Sequence, residues 1–296
     1  MKKKKHYNTL IAVLGWEDRF YEGIKSDLDN YSFQQLIILR YTECDHLTIK
    51  SRELIEKLCD KNGIELKYLE ISDLDTVEKW KVFDDYFSNQ DNVGKRILLD
   101  ISTMPRDTIW SLLYFLNSLN NSIDYIYHTP KAYNSDWLTK EPGKPRLLFK
   151  HSGISKLGAH TALIILTGFE VERTKQLVQF FEPKLTYLGV QKGSQYDNEK
   201  RNAENHESIK GYTETKEFEL DAYASDNGYS SIKEQIDELK NQYNIIVASL
   251  GPKPTSIAMY RAYLDNSEIA LAYVPAKEFN KEYSIGISGK IFGKFK

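Results

Sequence analysis

The stretch Asp100-Ile101-Ser102-Thr103-Met104-Pro105-Arg106 has the residue types of an anion site. The apolar run Arg96–Leu99 before it predicts a buried strand, and the apolar residues from about Thr108 to Leu119 predict a helix after it. A strand that hands over to a helix through small hydroxyl residues aims free backbone N–H groups and the positive end of the helix dipole at one spot. Proline in the first helical turn removes no needed donor. Taken by itself, the stretch reads first as an ordinary helix start, with Ser102 or Thr103 as the capping residue.

A second copy changes that balance. Ile245-Ile246-Val247-Ala248-Ser249-Leu250-Gly251-Pro252-Lys253 follows the pattern of Leu98 to Arg106, setting Ser249 on Ser102, Pro252 on Pro105 and Lys253 on Arg106. Val247 stands where the first copy has Asp100. Upstream, Leu163 to Glu170 echoes Ile11 to Glu17 as apolar strand, glycine (Gly168 for Gly15), aromatic and glutamate. Lys184 to Val190 matches a second strand and Ile269 to Val274 a fifth. Pro275, Phe279-Asn280, Tyr283 and Gly289-Lys290 then follow the order of Pro130, Tyr133-Asn134, Trp137 and Gly143-Lys144. These matches in constant order indicate an internal duplication that divides near residue 150.

The elements that must position these residues alternate. In the first half, strands at Thr9–Leu14, Leu36–Leu39, Ile64–Ile71, Arg96–Leu99 and Ile123–Tyr127 are separated by helices over Glu17–Leu28, Asp45–Lys61, from an Asp73 cap to Phe87, and Thr108–Leu119. Asn62-Gly63 supplies a helix stop. The pattern predicts an α/β fold of two tandem Rossmann-like domains with mostly parallel sheets, residues 1–150 and 151–296. Such sheets bind ligands at the carboxyl ends of their strands, where Gly15, Glu17, Asp100, Ser102 and Thr103 all fall. A duplicated domain of this kind is expected to fold as a pseudo-twofold pair with Arg106 and Lys253 facing one cleft. Packing back to back, with separate loops, is the other arrangement. The polar region Gln191–Tyr223 reads as a solvated helix and loop, or as a lid over the cleft.

Asp100-x-Ser102-x-x-x-Arg106 after a fourth strand resembles the signature of the CRISPR-associated Rossmann-fold (CARF) sensor domains. The resemblance implies that these three residues contact a cyclic oligonucleotide. Ser249-x-x-x-Lys253 keeps two of the three positions. The family binds ligand across a dimer, and the related SAVED sensors fuse two such units in one chain, an organisation similar to this one. The resemblance also implies prokaryotic antiviral defence and, since two Rossmann-like units use up the chain, either an effector on a separate partner or a chain that itself acts on its ligand.

On this reading Ser102–Thr103 and Ser249–Gly251 offer amides and hydroxyls to phosphates, joined by Thr255, with Arg106 as a fork and Lys253 as a point charge. Tyr133, Trp137, Phe279 and Tyr283, beyond the fifth strands, either stack on bases or pack the two halves together. Glu17 and Glu170 are candidate catalytic carboxylates for an enzyme acting on a nucleotide or phosphoribosyl compound, such as a ring nuclease. With Arg19 and Arg173 close by, each also forms an ordinary helix-start ion pair. A scaffold whose pocket no longer binds is the third reading.

Bulk composition narrows the field. Of 296 residues, 41% are hydrophobic and 28% charged, as in a globular protein. Forty basic residues against 42 acidic ones argue against a broad nucleic-acid surface. Cys44 and Cys59 read as reduced cytoplasmic thiols. The lysines after Met1 read as a solvated tail before a first strand rather than a signal peptide, and no run approaches a membrane span. No phosphate-binding Gly-x-x-x-x-Gly-Lys-Ser/Thr loop, dinucleotide Gly-x-Gly-x-x-Gly or Gly-x-Ser-x-Gly elbow is present. The six histidines show no metal spacing, so no metal or cofactor is expected.

Overall fold

A computed structural model describes residues 4–192 and 206–295. The chain forms two compact α/β units. The first comprises Met1–Leu138 with Phe279–Lys296, and the second Thr139–Glu278.

In the first unit β1 (Lys5–Val13), α1 (Asp18–Asp27), β2 (Tyr31–Tyr41), α2 (Asp45–Asn62), β3 (Glu65–Ile71), α3 (Thr76–Phe87), the short α4 (Gln90–Val93), β4 (Arg96–Asp100), α5 (Arg106–Ser118) and β5 (Ser122–Thr129) alternate as expected. The strand order is β3-β2-β1-β4-β5, all parallel, so the order reverses between β1 and β4. Leu10 to Val13, Leu36 to Leu39 and Ile97 to Leu99 are buried without alternation, because helices cover both faces of a parallel sheet. Gly63 ends α2 in the left-handed conformation at φ 62°. Asp75, not Asp73, caps α3, its carboxylate accepting the Glu78 N–H at 2.9 Å. Asp73 is occupied by Lys79 Nζ at 3.1 Å.

The second unit repeats this plan. After the short strands β6 (Ala132–Tyr133), β7 (Thr139–Pro142) and β8 (Arg146–Leu147), the chain runs through β9 (His160–Leu166), α6 (Val171–Phe181), β10 (Leu185–Gln191), β11 (Glu214–Leu220), α7 (Tyr229–Leu239), β12 (Tyr243–Ser249), α8 (Pro254–Asp265) and β13 (Ala270–Tyr273). Its order, β11-β10-β9-β12-β13, is again parallel with the reversal between the first and fourth strands. β11 lies inside the polar region expected to be a solvated helix and loop. Its Glu-Thr-Lys-Glu-Phe-Glu-Leu sequence is polar because it is an edge strand. Residues 193–205 of that expected lid lie outside the described residues.

The boundary near residue 150 is corrected by the sheets' sixth strands. After β14 (Ala276–Phe279) and β15 (Ser284–Ile285), β16 (Gly289–Lys294) pairs antiparallel with β5 in the first sheet. β8 pairs antiparallel with β13 in the second. Each sheet thus takes its edge from the other half of the sequence, and the tail of the chain belongs to the first unit. Within that unit β15 pairs with β6, setting Ser284 opposite Tyr133.

Candidate functional site

At the β1/β4 switch point the loops Leu14–Glu17 and Ile101–Pro105 lie side by side. A Cβ on Gly15 would stand 2.6 Å from Thr103 Cγ2, so glycine is what allows the two loops to touch. Neither Ser102 nor Thr103 caps the helix, for Pro105 is the residue at its N-cap. Thr103 Oγ1 donates to Val13 O at 2.8 Å. Fully buried Ser102 accepts the His128 N–H at 2.8 Å, and its own N–H donates to Asp100 Oδ1 at 2.9 Å. The Ser102 amide is therefore spent inside the loop. Half-buried Arg106 opens α5, beside the positive end of its dipole.

Glu17 and Glu170 are both held by arginines. Arg19 Nη2 lies 2.6 Å from Glu17 Oε2, which also accepts the Ser284 hydroxyl, and Arg19 Nη1 reaches His128 O at 3.4 Å. Arg173 Nη1 lies 3.3 Å from Glu170 Oε2, Arg173 Nη2 donates to Val274 O, and Thr139 donates to Glu170. Each guanidinium sits over a tyrosine of the fifth strand, Arg19 at 5.7 Å from the Tyr127 ring and Arg173 at 5.8 Å from that of Tyr273. The pairs tie α1 and α6 to the fifth strands, which is the ion-pair alternative of the sequence reading.

Behind the first loop lies a buried polar chain with no local sequence signal. Asp27, Asp100 and His128 are almost wholly buried. His128 Nε2 is 3.0 Å from Asp27 Oδ2, and Asp27 Oδ1 accepts Lys290 Nζ from β16 at 3.2 Å. Burial opposes the imidazolium, but the Asp27 hydrogen bond and the charges of Asp100 and Asp27 lift the His128 pKa above its ordinary value. Burial likewise pushes the Asp100 carboxyl above the usual range, with His128 pulling the other way. At the far side of the loop, buried Lys79 of α3 binds Asp107 at 2.7 Å, and Tyr41 hydrogen-bonds Thr108. Together these fix the start of α5, and hence the place from which Arg106 projects.

In the second unit the loop Leu250–Lys253 leads into α8. Leu250 N and Gly251 N both donate to Leu166 O, at 2.8 and 3.1 Å, so these amides too are internal. Ser249 Oγ is 2.9 Å from Thr255 Oγ1, which donates to Pro252 O at 2.7 Å. A Cβ on Gly168 would stand 2.1 Å from Leu250 O. Half-buried Lys253 is the N-cap residue of α8. Register sharpens the comparison of the acid position. Asp100 is opposite Ala12, and Ala248 is opposite Ile165, each partner three residues before its loop glycine. The counterpart of Asp100 is therefore Ala248 rather than Val247, and this loop is one residue shorter. No carboxylate stands at that position in the second unit.

Tyr133 and Tyr283 meet edge to face at 6.0 Å, with the Tyr133 hydroxyl 3.0 Å from that of Tyr127. Asn280 Nδ2 donates to Trp137 O at 2.9 Å. Phe279 packs at 5.7 Å against Trp16, whose indole N–H donates to Asn280 O. Trp16 is a strand-end aromatic of the first loop outside the sequence-predicted site, marked in the sequence by its position next to Gly15. Burial pushes the Cys44 and Cys59 thiols up to about 11, so neither supplies a thiolate near neutral pH. No helix among the described residues is long and apolar enough to cross a membrane.

The sequence matches no protein-family model and no curated protein. Among solved structures, the chain is similar to a type III CRISPR defence DNA nuclease activated by cyclic oligoadenylate, with a TM-score of 0.55 at 8% identity. The match covers 86% of this chain and 63% of that one, so the chain spans somewhat under two thirds of its neighbour's length. The cytoplasmic domain of a prokaryotic cation chloride cotransporter aligns over 95% of this chain and 98% of its own at 10% identity, with a TM-score of 0.30. The first likeness is one of fold, two mixed α/β units built on mostly parallel sheets.

Proposed function

We propose that the chain is a nucleotide-binding sensor, with a cyclic oligonucleotide as its ligand, serving prokaryotic antiviral defence in the cytoplasm through a separate effector protein. The observation that carries this reading is the twice-built crevice at the first/fourth-strand switch point. It has a close-packed glycine on one side and a cation at the start of a helix on the other. Open parallel sheets bind nucleotides at that point, and a cation at a helix N-terminus favours phosphate. The likeness of fold to a nuclease activated by cyclic oligoadenylate supports the choice of ligand class. With Ser102, Leu250 and Gly251 amides satisfied internally, the work of holding phosphate falls to the side chains of Arg106 and Lys253.

Thermal melting against cyclic and linear oligonucleotides and 5′-monophosphates of adenosine, guanosine, cytidine and uridine tests the reading. At least one nucleotide is expected to raise the melting temperature by several degrees, and Arg106→Ala and Lys253→Ala to reduce that rise. A wild-type melting curve unmoved by every nucleotide would overturn it.

A further inference from the structure

Gln191 ends β10, beside β9 and facing the loop of the second unit. It is 3% exposed, and among the described residues neither Oε1 nor Nε2 has a hydrogen-bond partner. Buried carboxamides left wholly unsatisfied are rare and carry a standing cost in stability. Its position is specific. A Cβ on Gly251 would lie 2.8 Å from Gln191 Nε2 and 2.8 Å from Thr167 O, so the carboxamide abuts the loop that precedes Lys253 and α8.

The first unit fills the same place. By register, Val13 is opposite Leu39 and Leu166 is opposite Gly189, which sets Tyr41 against Gln191. The residue before the loop proline is buried Met104 in one unit and Gly251 in the other. Thus the first unit packs a tyrosine and a methionine there, with the tyrosine hydroxyl bonded to Thr108. The second has a glycine and a carboxamide whose donor and acceptor are both unused among the described residues.

We propose that Gln191 reads the edge of a ligand base in the crevice of the second unit. A carboxamide offers one donor and one acceptor side by side, and its complement is a nucleobase edge presenting an acceptor beside a donor. Lys253, at the start of α8, takes the attached phosphate. This rests on the nucleotide-binding reading above and adds to it a residue that discriminates between bases.

Gln191→Leu tests the assignment with the same nucleotide panel and with ribose 5-phosphate, which has phosphate and sugar but no base. Gln191→Met replaces it if the leucine variant does not fold. The variant is expected to melt higher than wild type without ligand. It should bind nucleotides roughly tenfold more weakly, with the preference among the four bases flattened, and bind ribose 5-phosphate as wild type does. Unchanged nucleotide affinity and base preference would overturn the role of Gln191 while leaving nucleotide binding intact. Equal weakening towards ribose 5-phosphate would reduce it to a packing residue. If the wild-type protein binds no nucleotide, the functional reading fails and this inference goes with it.

Discussion

Arg19 and Arg173 occupy matching places in the two units, each clasping a glutamate at the end of the first strand and a carbonyl at the end of the fifth. With that device as a common frame, the carbonyls they reach pair His128 with Val274, and the helix positions four residues on pair Gly23 with Leu177. Asp100 is matched to Ala248 by register. The first unit therefore has aspartate, histidine and glycine where the second has alanine, valine and leucine, all buried. One sheet end is held by a hydrogen-bonded chain from Ser102 through His128 and Asp27 to Lys290, the other by apolar packing. At the neighbouring position the contrast reverses, with Tyr41 satisfied and Gln191 without a partner among the described residues. The fold specifies the frame, and the two copies then divide the polar groups between loop support and free capacity.

The largest test of this contrast removes the strand that ends the polar chain. Truncation after Glu278 deletes β16, with Lys290 and the buried Phe295, and uncovers the edge of β5. Hydrogen exchange should show the amides of β4 and β5 losing nearly all protection while β9, β10 and β12 keep theirs. Equal loss in both sheets would mean that the units do not fold as separate cooperative blocks.

A graft of second-unit residues into the first comes next. A Cβ at position 23 would lie 2.6 Å from His128 Cδ2, so Gly23→Leu drives a side chain into a buried imidazole. The expected cost is about 3 kcal/mol in denaturant unfolding. Gly23→Leu combined with His128→Val, which copies Leu177 and Val274, should recover most of it. All four tryptophans, Trp16, Trp80, Trp110 and Trp137, lie in the first unit, so tryptophan fluorescence follows that unit alone. Strictly additive costs would break the proposed correspondence.

A smaller difference should appear with pH. His128 has a raised pKa in the folded state, so the stability it contributes is complete below the unfolded value near 6.5 and is lost as pH rises through the folded value. Asp100, also raised, acts in the same direction from the carboxylate range upward. The fluorescence-detected midpoint of the first unit should therefore decline above about pH 6.5, and the decline should be smaller in Gly23→Leu/His128→Val, which keeps Asp100. A midpoint that rises over that range would contradict the sign.

Much of this plan was legible in the sequence. Buried parallel strands give unbroken apolar runs such as Leu36–Leu39, and the repeat brought Gly15, Gly168, Ser102 and Ser249 to the correct strand ends. What escaped was of two kinds. β11 is an edge strand with charges along its length, so neither apolar run nor clean alternation betrayed it. The polar chain joins Asp27, His128 and Lys290, residues more than a hundred positions apart, and Lys290 reaches it because β16 crosses to the first sheet. That same crossing hid the true domain division, because β8 and β16 each complete the sheet of the other half. Loop chemistry was half legible: Thr103 and Ser102 were located, but their hydroxyls support neighbouring strands instead of capping α5.

The smallest expected effects concern Tyr41 and its counterpart, and here the sign matters more than the size. Tyr41→Phe removes the hydroxyl paired with Thr108 in a buried setting and should cost about 1 kcal/mol, read by tryptophan fluorescence. Gln191→Leu removes two buried polar atoms that have no partner among the described residues, so in the absence of ligand it should stabilise the second unit by a similar amount. Far-UV circular dichroism, which sees both units, should register that gain while tryptophan fluorescence stays unchanged. Opposite signs at matched positions follow from the same rule, that a buried polar group stabilises only when it is paired. Destabilisation by both substitutions would mean that Gln191 is satisfied in solution, and the second crevice would lose its unused donor and acceptor.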